Sequence, residues 1–457
     1  MSALWAVADL VRATGGVANG EWCAWRVEID SRKVRAGDIF VAIKGEQFDG
    51  HDYVVEAFKN GAIAAIVERS LDIGGNQLVV DDALVALADM ARYNRKRCAA
   101  KIVGVTGSVG KTSTKDMLSI ALAVHGKTYV TSGNFNNHIG LPLSLTNMPI
   151  DTQYAVFEMG MNHAGEILYL TEIARPDIAV VSCVEAVHME FFDSVDDIAK
   201  AKAEIFEGLA EDGVAIINAD QLYFSDLDFS KITFGKSSGA DLQLLDYKPF
   251  VGGCEVHADI LGNDIKYKIG AIGYHFAVIS LSVLAVCNAL GLDIKKSAAA
   301  LAAFSEARGR GEVAEITVGD KRVLLINDSY NASPVSMRGA FAKTSEVWQA
   351  GGRKGRKIAF LGDMLELGKD AGMLHKELAD TLRKENFDKI YAAGDLMHNL
   401  YDALPENMRG AYAENIDELS ELAFDALQKN DVVLIKGSHG SSMYKLAEEF
   451  LNKYGVS

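Results

Sequence analysis

Apolar residues along this chain fall into two alternating patterns, short unbroken runs that read as buried strands and longer stretches with a helical period. Up to residue 99 the runs DIFVAI (38–43), AIAAIVE (62–68) and QLVV (77–80) alternate with helical stretches at 53–60 and 83–97, which predicts a small α/β domain. The opening MSALWAVADLVRATGG carries Asp9 among its apolar positions and predicts an amphipathic helix, not a signal peptide. From 101 the chain repeats strand, turn and helix through KIVGVTG, YAVFEMG (154–160), IAVVSCV (178–184) and GVAIINAD (213–220), the pattern of a mostly parallel sheet covered by helices. Alternating segments between 231 and 270 predict an antiparallel edge, followed by helices near 275–290 and 296–304, and SEARGRGE (305–312) reads as a linker. A last α/β set, RVLLIND (322–328), KIAFLGD (357–363), KIYAAGD (389–395) and DVVLIKGS (431–438), predicts a Rossmann-like sheet without the GxGxxG fingerprint. The 457 residues suggest about three domains. The pattern places them at 1–99, 100–312 and 313–457.

Composition narrows the function. A net charge of -16 repels polyanions, so nucleic acid and anionic membranes are not expected partners. No apolar run approaches the ~20 residues that span a bilayer, and no membrane insertion is expected. The five cysteines are odd in number, scattered and free of CxxC pairs, which argues against a disulfide framework or a zinc site and fits a reducing cytoplasm. The basic cluster Arg92, Arg95, Lys96 and Arg97 reads as the solvated face of a helix.

The chemistry concentrates in Gly107-Ser108-Val109-Gly110-Lys111-Thr112-Ser113, a loop between an apolar run and a helical stretch. Its glycines let backbone N–H groups turn onto phosphate oxygens, Lys111 can reach the terminal phosphates, and the Thr112 hydroxyl can hold Mg²⁺ at the helix N-terminus. The general pattern has glycine where Val105 stands, so this is a shortened loop and ATP or a relative is its expected ligand. Ligands of open parallel sheets gather beyond the carboxyl ends of the strands, where Glu158 closes YAVFE and His188 lies four residues past IAVVSCV. Each alone reads as a surface acid or a loop histidine, and together with a phosphate loop they could complete a magnesium site. Lys202 is unusual, because on a helix over 195–209 it falls within about 60° of Val195, Ile198, Ile205, Phe206 and Leu209, whereas Lys200 points about 160° away. A lysine in an apolar stripe snorkels, pairs with an acid or is chemically modified. As a carbamate formed with CO₂ it would become an anion able to bind Mg²⁺.

The segments TGSVGKTSTK (106–115), GNFNNHIGLPLSL (133–145), FEMGMNHAGEI (157–167), the stretch from Ala174 to Leu209, NDSYNASP (327–334), LGDMLELG (361–368) and the N-terminal DSRKVRAGDIFVAIKGEQFDGHDY resemble the Mur ligases. The resemblance covers all three predicted domains. It implies a three-domain α/β architecture with a central P-loop ATPase-type sheet and a C-terminal Rossmann-like domain that binds the incoming dipeptide. The implied activity joins D-alanyl-D-alanine to UDP-N-acetylmuramoyl-tripeptide through an acyl phosphate, with ATP and two Mg²⁺ ions, in a cytoplasmic enzyme expected to be a monomer. Residue by residue, it gives the phosphates to Lys111 and its loop, one magnesium to Thr112 and Glu158, and the second to His188 and a carbamate on Lys202. Arg310 and Asp328 match residues that the C-terminal domain lends to the nucleotide, although on the residues alone Arg310 is a linker charge and Asp328 a helix N-cap. Ser31, Arg32, Asp49, Gly50 and His51 match the region that holds the UDP-sugar. Two departures stand out. Phe276 and Ile279 follow His275 where the family usually carries asparagines near adenine, and His439 stands where arginine is common. The Lys436-Gly-Ser turn could still offer N–H groups to a carboxylate.

Overall fold

The computed structural model describes residues 3–131, 133–187, 189–224, 226–227, 230–352 and 354–455. The chain divides into two compact units, one of Met1–Thr106, His125–Val180 and Ala201–Ala215 and the other of Gly107–Val124, Val181–Lys200 and Ile216–Ser457. Both are α/β, as the alternating pattern predicts.

In the first unit a five-stranded sheet runs in the order Val17–Ala18, Asn76–Val79, Ala64–Val67, Asp38–Val41, Arg26–Glu28. It is parallel except at its Val17–Ala18 edge. Its strands are fully buried runs such as Asp38–Val41 and Ala64–Val67, as expected of a sheet covered on both faces. The helix Ala83–Arg97 starts where Asp82 accepts hydrogen bonds from the N–H groups of Leu84 and Val85, at 2.8 and 2.9 Å. The first helix is shorter than its apolar period suggests, Val7–Thr14, because Trp5–Ala6 pairs instead as a strand with Cys23–Ala24. It ends at Gly15, whose φ of 70° is left-handed.

The basic cluster on Ala83–Arg97 is not a solvated face. Arg97 lies 3.9 Å above the ring of buried Trp5 and donates to the Leu4 carbonyl at 2.6 Å. Arg95 donates to the Ala174 and Arg175 carbonyls and pairs with Asp177 at 3.2 Å. These guanidiniums pin the helix to its neighbours, and of the four only Lys96 is exposed. The same unit holds Lys101–Thr106, Tyr154–Glu158 and Thr128–Val130, in which Tyr154–Glu158 runs parallel to both others.

The second unit carries the predicted antiparallel arm, Leu242–Phe250, Gly253–Ile260 and Asn263–Ile269. The helix Tyr274–Ala289 that follows is buried from Phe276 to Cys287 on nearly every side. The last sheet has the order Glu312–Val318, Lys321–Asp328, Val432–Lys436, Lys357–Gly362, Lys389–Ala393, Arg409–Ala413. It is parallel except for its first strand, so it is Rossmann-like with an added antiparallel edge. That edge strand begins at Glu312, the last residue of the stretch read as a linker. The helix Pro334–Ala350 has Pro at its start and a capping box between Ser333 and Ser336. Ser333 is therefore the N-cap, and Asp328 is the last residue of its strand.

Candidate active site

The phosphate loop lies in the second unit, between the end of Lys101–Thr106 and the helix Lys111–Ala123. Val105, where the longer pattern has glycine, is fully buried in the strand, which runs on through Thr106, so the loop begins at Gly107. Gly107 has a φ of 148°, and a Cβ there would stand 1.9 Å from Ser182 Oγ. Gly110 caps the helix with a left-handed φ of 84°. The loop is strapped to the segment after Ile178–Val181. Ser108 N–H donates to the Cys183 carbonyl at 2.9 Å, Ser108 Oγ to the Glu185 carbonyl at 3.0 Å, and Ser182 Oγ to the Val109 carbonyl at 2.7 Å. Lys111 Nζ folds back onto the Gly107 carbonyl at 2.7 Å. Thr112 and Ser113 are half-buried in the first helical turn, where the positive end of the helix dipole favours an anion. Glu185 beside the loop is held above the ordinary carboxylate range by burial, with Arg338 opposing the shift.

One wall next to the loop is apolar. Ile279 Cδ1 stands 3.1 Å from the place a Cβ would occupy on Gly110, and Phe276 is buried against Phe304 at 5.3 Å between ring centroids. These are the two positions where asparagines were expected, and both serve packing here. In the same unit the Arg310 guanidinium lies 3.9 Å over the Tyr330 ring. The Arg310 and Asp328 segments are drawn together by Gly311 N–H to the Asn327 carbonyl, 2.8 Å, and Tyr330 N–H to the Gly309 carbonyl, 2.9 Å. Asp328 pairs at 2.6 Å with Lys436, a buried lysine that also donates to the Asn331 carbonyl. A lysine closing the apolar run of DVVLIKGS is the sequence signal for it. His439 stacks on Tyr444 with centroids 5.0 Å apart and bounds a cleft of about 200 Å³ with Tyr330, Arg308, Ser329 and Glu448.

The first unit holds Glu158, Lys202 and the candidates near the N-terminus. Glu158 ends its strand 2% exposed and accepts from Asn136 Nδ2 at 2.9 Å, a partner that sequence reasoning missed because nothing local distinguishes it from Asn134 and Asn137. Lys202 is 2% exposed on Val195–Glu207, with Ile198, Ile205 and Phe206 buried, while Lys200 reaches solvent and pairs with Asp197 at 2.9 Å. The helical period therefore located a buried lysine correctly. His188 lies outside the described residues, and among the described ones no group of three or more His, Cys, Asp or Glu side chains is arranged to hold a metal ion. Glu158 offers a buried carboxylate at a strand end and Thr112 a hydroxyl at a helix start, donor types that suit Mg²⁺.

Near the N-terminus Ser31 Oγ donates to Glu56 at 2.8 Å. Arg32, its side chain 79% exposed, forks onto Asp30 at 2.8 and 2.9 Å. The pair lowers the Asp30 carboxyl to about 2. Asp49 accepts from the His51 N–H at 2.9 Å and contacts its Nδ1, and the same contacts depress it to about 2. His51 Nε2 accepts from Glu68 N–H at 2.9 Å, so the ring proton sits on Nδ1 and both nitrogens are used within the protein. Gly50 passes Ile43 so closely that a Cβ would stand 2.6 Å from the Ile43 nitrogen.

Family profiles match almost end to end: "Mur ligase family, catalytic domain" over residues 26–102, "Mur ligase middle domain" over 105–287 and "Mur ligase, glutamate ligase domain" over 309–439. The UDP-N-acetylmuramoyl-tripeptide--D-alanyl-D-alanine ligase of Rickettsia prowazekii is 37% identical over 93% of this chain and 94% of its own length. This chain belongs to the Mur ligase family. The Escherichia coli protein of the same name is 33% identical over 91% of each chain. Among solved Mur ligases, a crystal structure of MurF from Acinetobacter baumannii superposes with a TM-score of 0.86 at 29% identity, covering 98% of this chain and 99% of that one. The MurF ligase of Thermotoga maritima in complex with ADP gives 0.80 at 30% identity, covering 94% and 97%. The α/β fold with its mostly parallel sheets is thus that of the three-domain Mur ligases. Among the described residues no helix is long and apolar enough to cross a membrane.

Proposed function

We propose that this chain is the ATP-dependent ligase that joins D-alanyl-D-alanine to UDP-N-acetylmuramoyl-tripeptide in peptidoglycan precursor synthesis. The observation that carries this reading is likeness over 93% of the chain to a relative bearing that name. The phosphate loop supports it, strapped in a conformation that only glycine at 107 allows. A carboxylate is a poor electrophile until it carries a leaving group. The γ-phosphoryl of ATP therefore passes to the terminal carboxylate of the tripeptide and releases ADP, the amine of the dipeptide attacks the acyl carbon and gives up a proton, and the tetrahedral intermediate expels phosphate to leave the amide. The N–H groups of 107–113 hold the phosphates, and Lys111 turns from the Gly107 carbonyl to the charge developing on the transferred group. Arg310 and Asp328 contact the nucleotide from the C-terminal segment.

Thr112 and Glu158 would hold one Mg²⁺, and His188 with a carbamate on Lys202 a second. Bound there, the ions would neutralise phosphate charge. The carbamate is supported by the burial of Lys202 on an apolar stripe, where a charged ammonium is costly and an anion beside a dication would be stabilised. On the UDP-sugar, exposed Arg32 suits the diphosphate, while Ser31, Asp49, Gly50 and His51 shape the turns around it. Residues 1–99 bind the UDP-sugar, 100–312 bind ATP and 313–457 bind the dipeptide, in a cytoplasmic monomer. The test is a coupled phosphate-release assay in which ATP, UDP-muramoyl tripeptide and D-alanyl-D-alanine are omitted one at a time. Turnover is expected only with all three, and release without either peptide substrate overturns the reading.

A further inference from the structure

The loop that carries Arg310 is anchored by a side chain with no assigned role. Lys343 lies in the middle of the helix Pro334–Ala350 and is 3% exposed. Its ammonium donates to Glu306 Oε1 at 2.6 Å and to the Gly311 carbonyl at 2.6 Å, which are the two ends of the short loop holding Arg310. Gly311 has a left-handed φ of 92°, which favours glycine, and a Cβ on it would stand 2.9 Å from Lys343 Nζ. One cation thus clamps both ends of a turn, and the guanidinium it presents lies over Tyr330.

The same helix is tied to the phosphate-loop side. Glu346, one turn after Lys343, accepts from the Tyr247 hydroxyl at 2.7 Å, and that hydroxyl accepts from Gly273 N–H at 2.9 Å. Gly273 precedes Tyr274–Ala289, a helix without a side-chain cap of its own. Ile279 of that helix is the residue that abuts Gly110. Burial holds Glu346 above the ordinary carboxylate range, against the opposing pull of the Tyr247 hydroxyl bond and the Lys343 charge. A single helix therefore contacts both the loop of Arg310 and the helix that buttresses the phosphate loop.

We propose that Lys343 is a positioning residue of the ligase reaction, setting Arg310 against the nucleotide held by the phosphate loop. This rests on the ATP-dependent reading above. Misplacing a charged group by about 1 Å costs up to roughly 10²-fold in rate, whereas groups acting through one another are not additive. The experiment compares Lys343→Met, Arg310→Ala and the double variant with wild type in phosphate release, with all three substrates present. Lys343→Met is expected to lower kcat by roughly 10–100-fold, with KM for the UDP-substrate within about twofold of wild type. The double variant should be no slower than Arg310→Ala alone. A double variant whose loss equals the product of the two single losses overturns the inference, as does an Arg310→Ala of wild-type rate. In either case a wild type that needs all three substrates leaves the ligase reading standing. If Lys343→Met does not fold, Glu306→Gln removes one anchor from the loop end itself, and the same comparison with Arg310→Ala decides.

Discussion

At Gly107 a methyl group would meet Ser182 Oγ at 1.9 Å on a backbone whose φ of 148° already disfavours a side chain. Gly107→Ala is therefore expected to reduce ATP-dependent turnover by roughly 10²-fold while UDP-substrate binding, measured by calorimetry, is unchanged. Equal loss of both would point to misfolding. Lys202 is expected to show a mass increase equal to one CO₂ in native mass spectrometry, and small carboxylic acids are expected to restore part of the activity lost in Lys202→Ala. An unmodified lysine in a fully active enzyme would contradict it. Asp49 supplies a pH signature. Its folded-state value falls from 3.8 to about 2, chiefly through the His51 N–H and then the His51 ring. A depressed carboxylate stabilises the fold above its ordinary value and loses that contribution as pH falls toward the folded one. Asp49→Asn should thus lower Tm at neutral pH, with the gap to wild type closing as pH falls from about 4 to 2. A gap independent of pH would mean the charge is not what stabilises the turn.

At the scale of elements, Ser333 is the cap of Pro334–Ala350, with its partner Ser336 completing the box. Ser333→Ala is expected to cost about 1 kcal/mol of stability, read as a lower Tm. This cap was not legible in the sequence, where Asp328 reads as the N-cap, but other local signals were. The helix Ala83–Arg97 has the limits that its apolar period predicts, 83–97, and the glycines of the phosphate loop announce their own geometry. Non-local pairings were not legible. Trp5–Ala6 abandons the helical pattern for a strand partner near residue 24, and Thr128–Val130 is too short to show any period. The site follows the same division. Lys111, Glu158 and Lys202 stand out by their place on strand, loop or apolar stripe. Asn136, Ser182 and Lys343 owe their roles to partners 22, 73 and about 30 residues away. Arg97 misled because its charge suggests solvent, while its use is to cover Trp5.

At the scale of the molecule, the likeness to Mur ligases runs through residues 26–102, 105–287 and 309–439 alike, so the reaction is expected to need all of them. Against the net charge of -16, the proposed reading assigns the anionic substrates to the local cations Arg32, Lys111 and Arg310. The measurement that tests this most directly is phosphate release from ATP by the full chain with each substrate left out in turn. Release only when ATP, UDP-muramoyl tripeptide and D-alanyl-D-alanine are all present is the predicted result; release that persists without the dipeptide or without the tripeptide would contradict it.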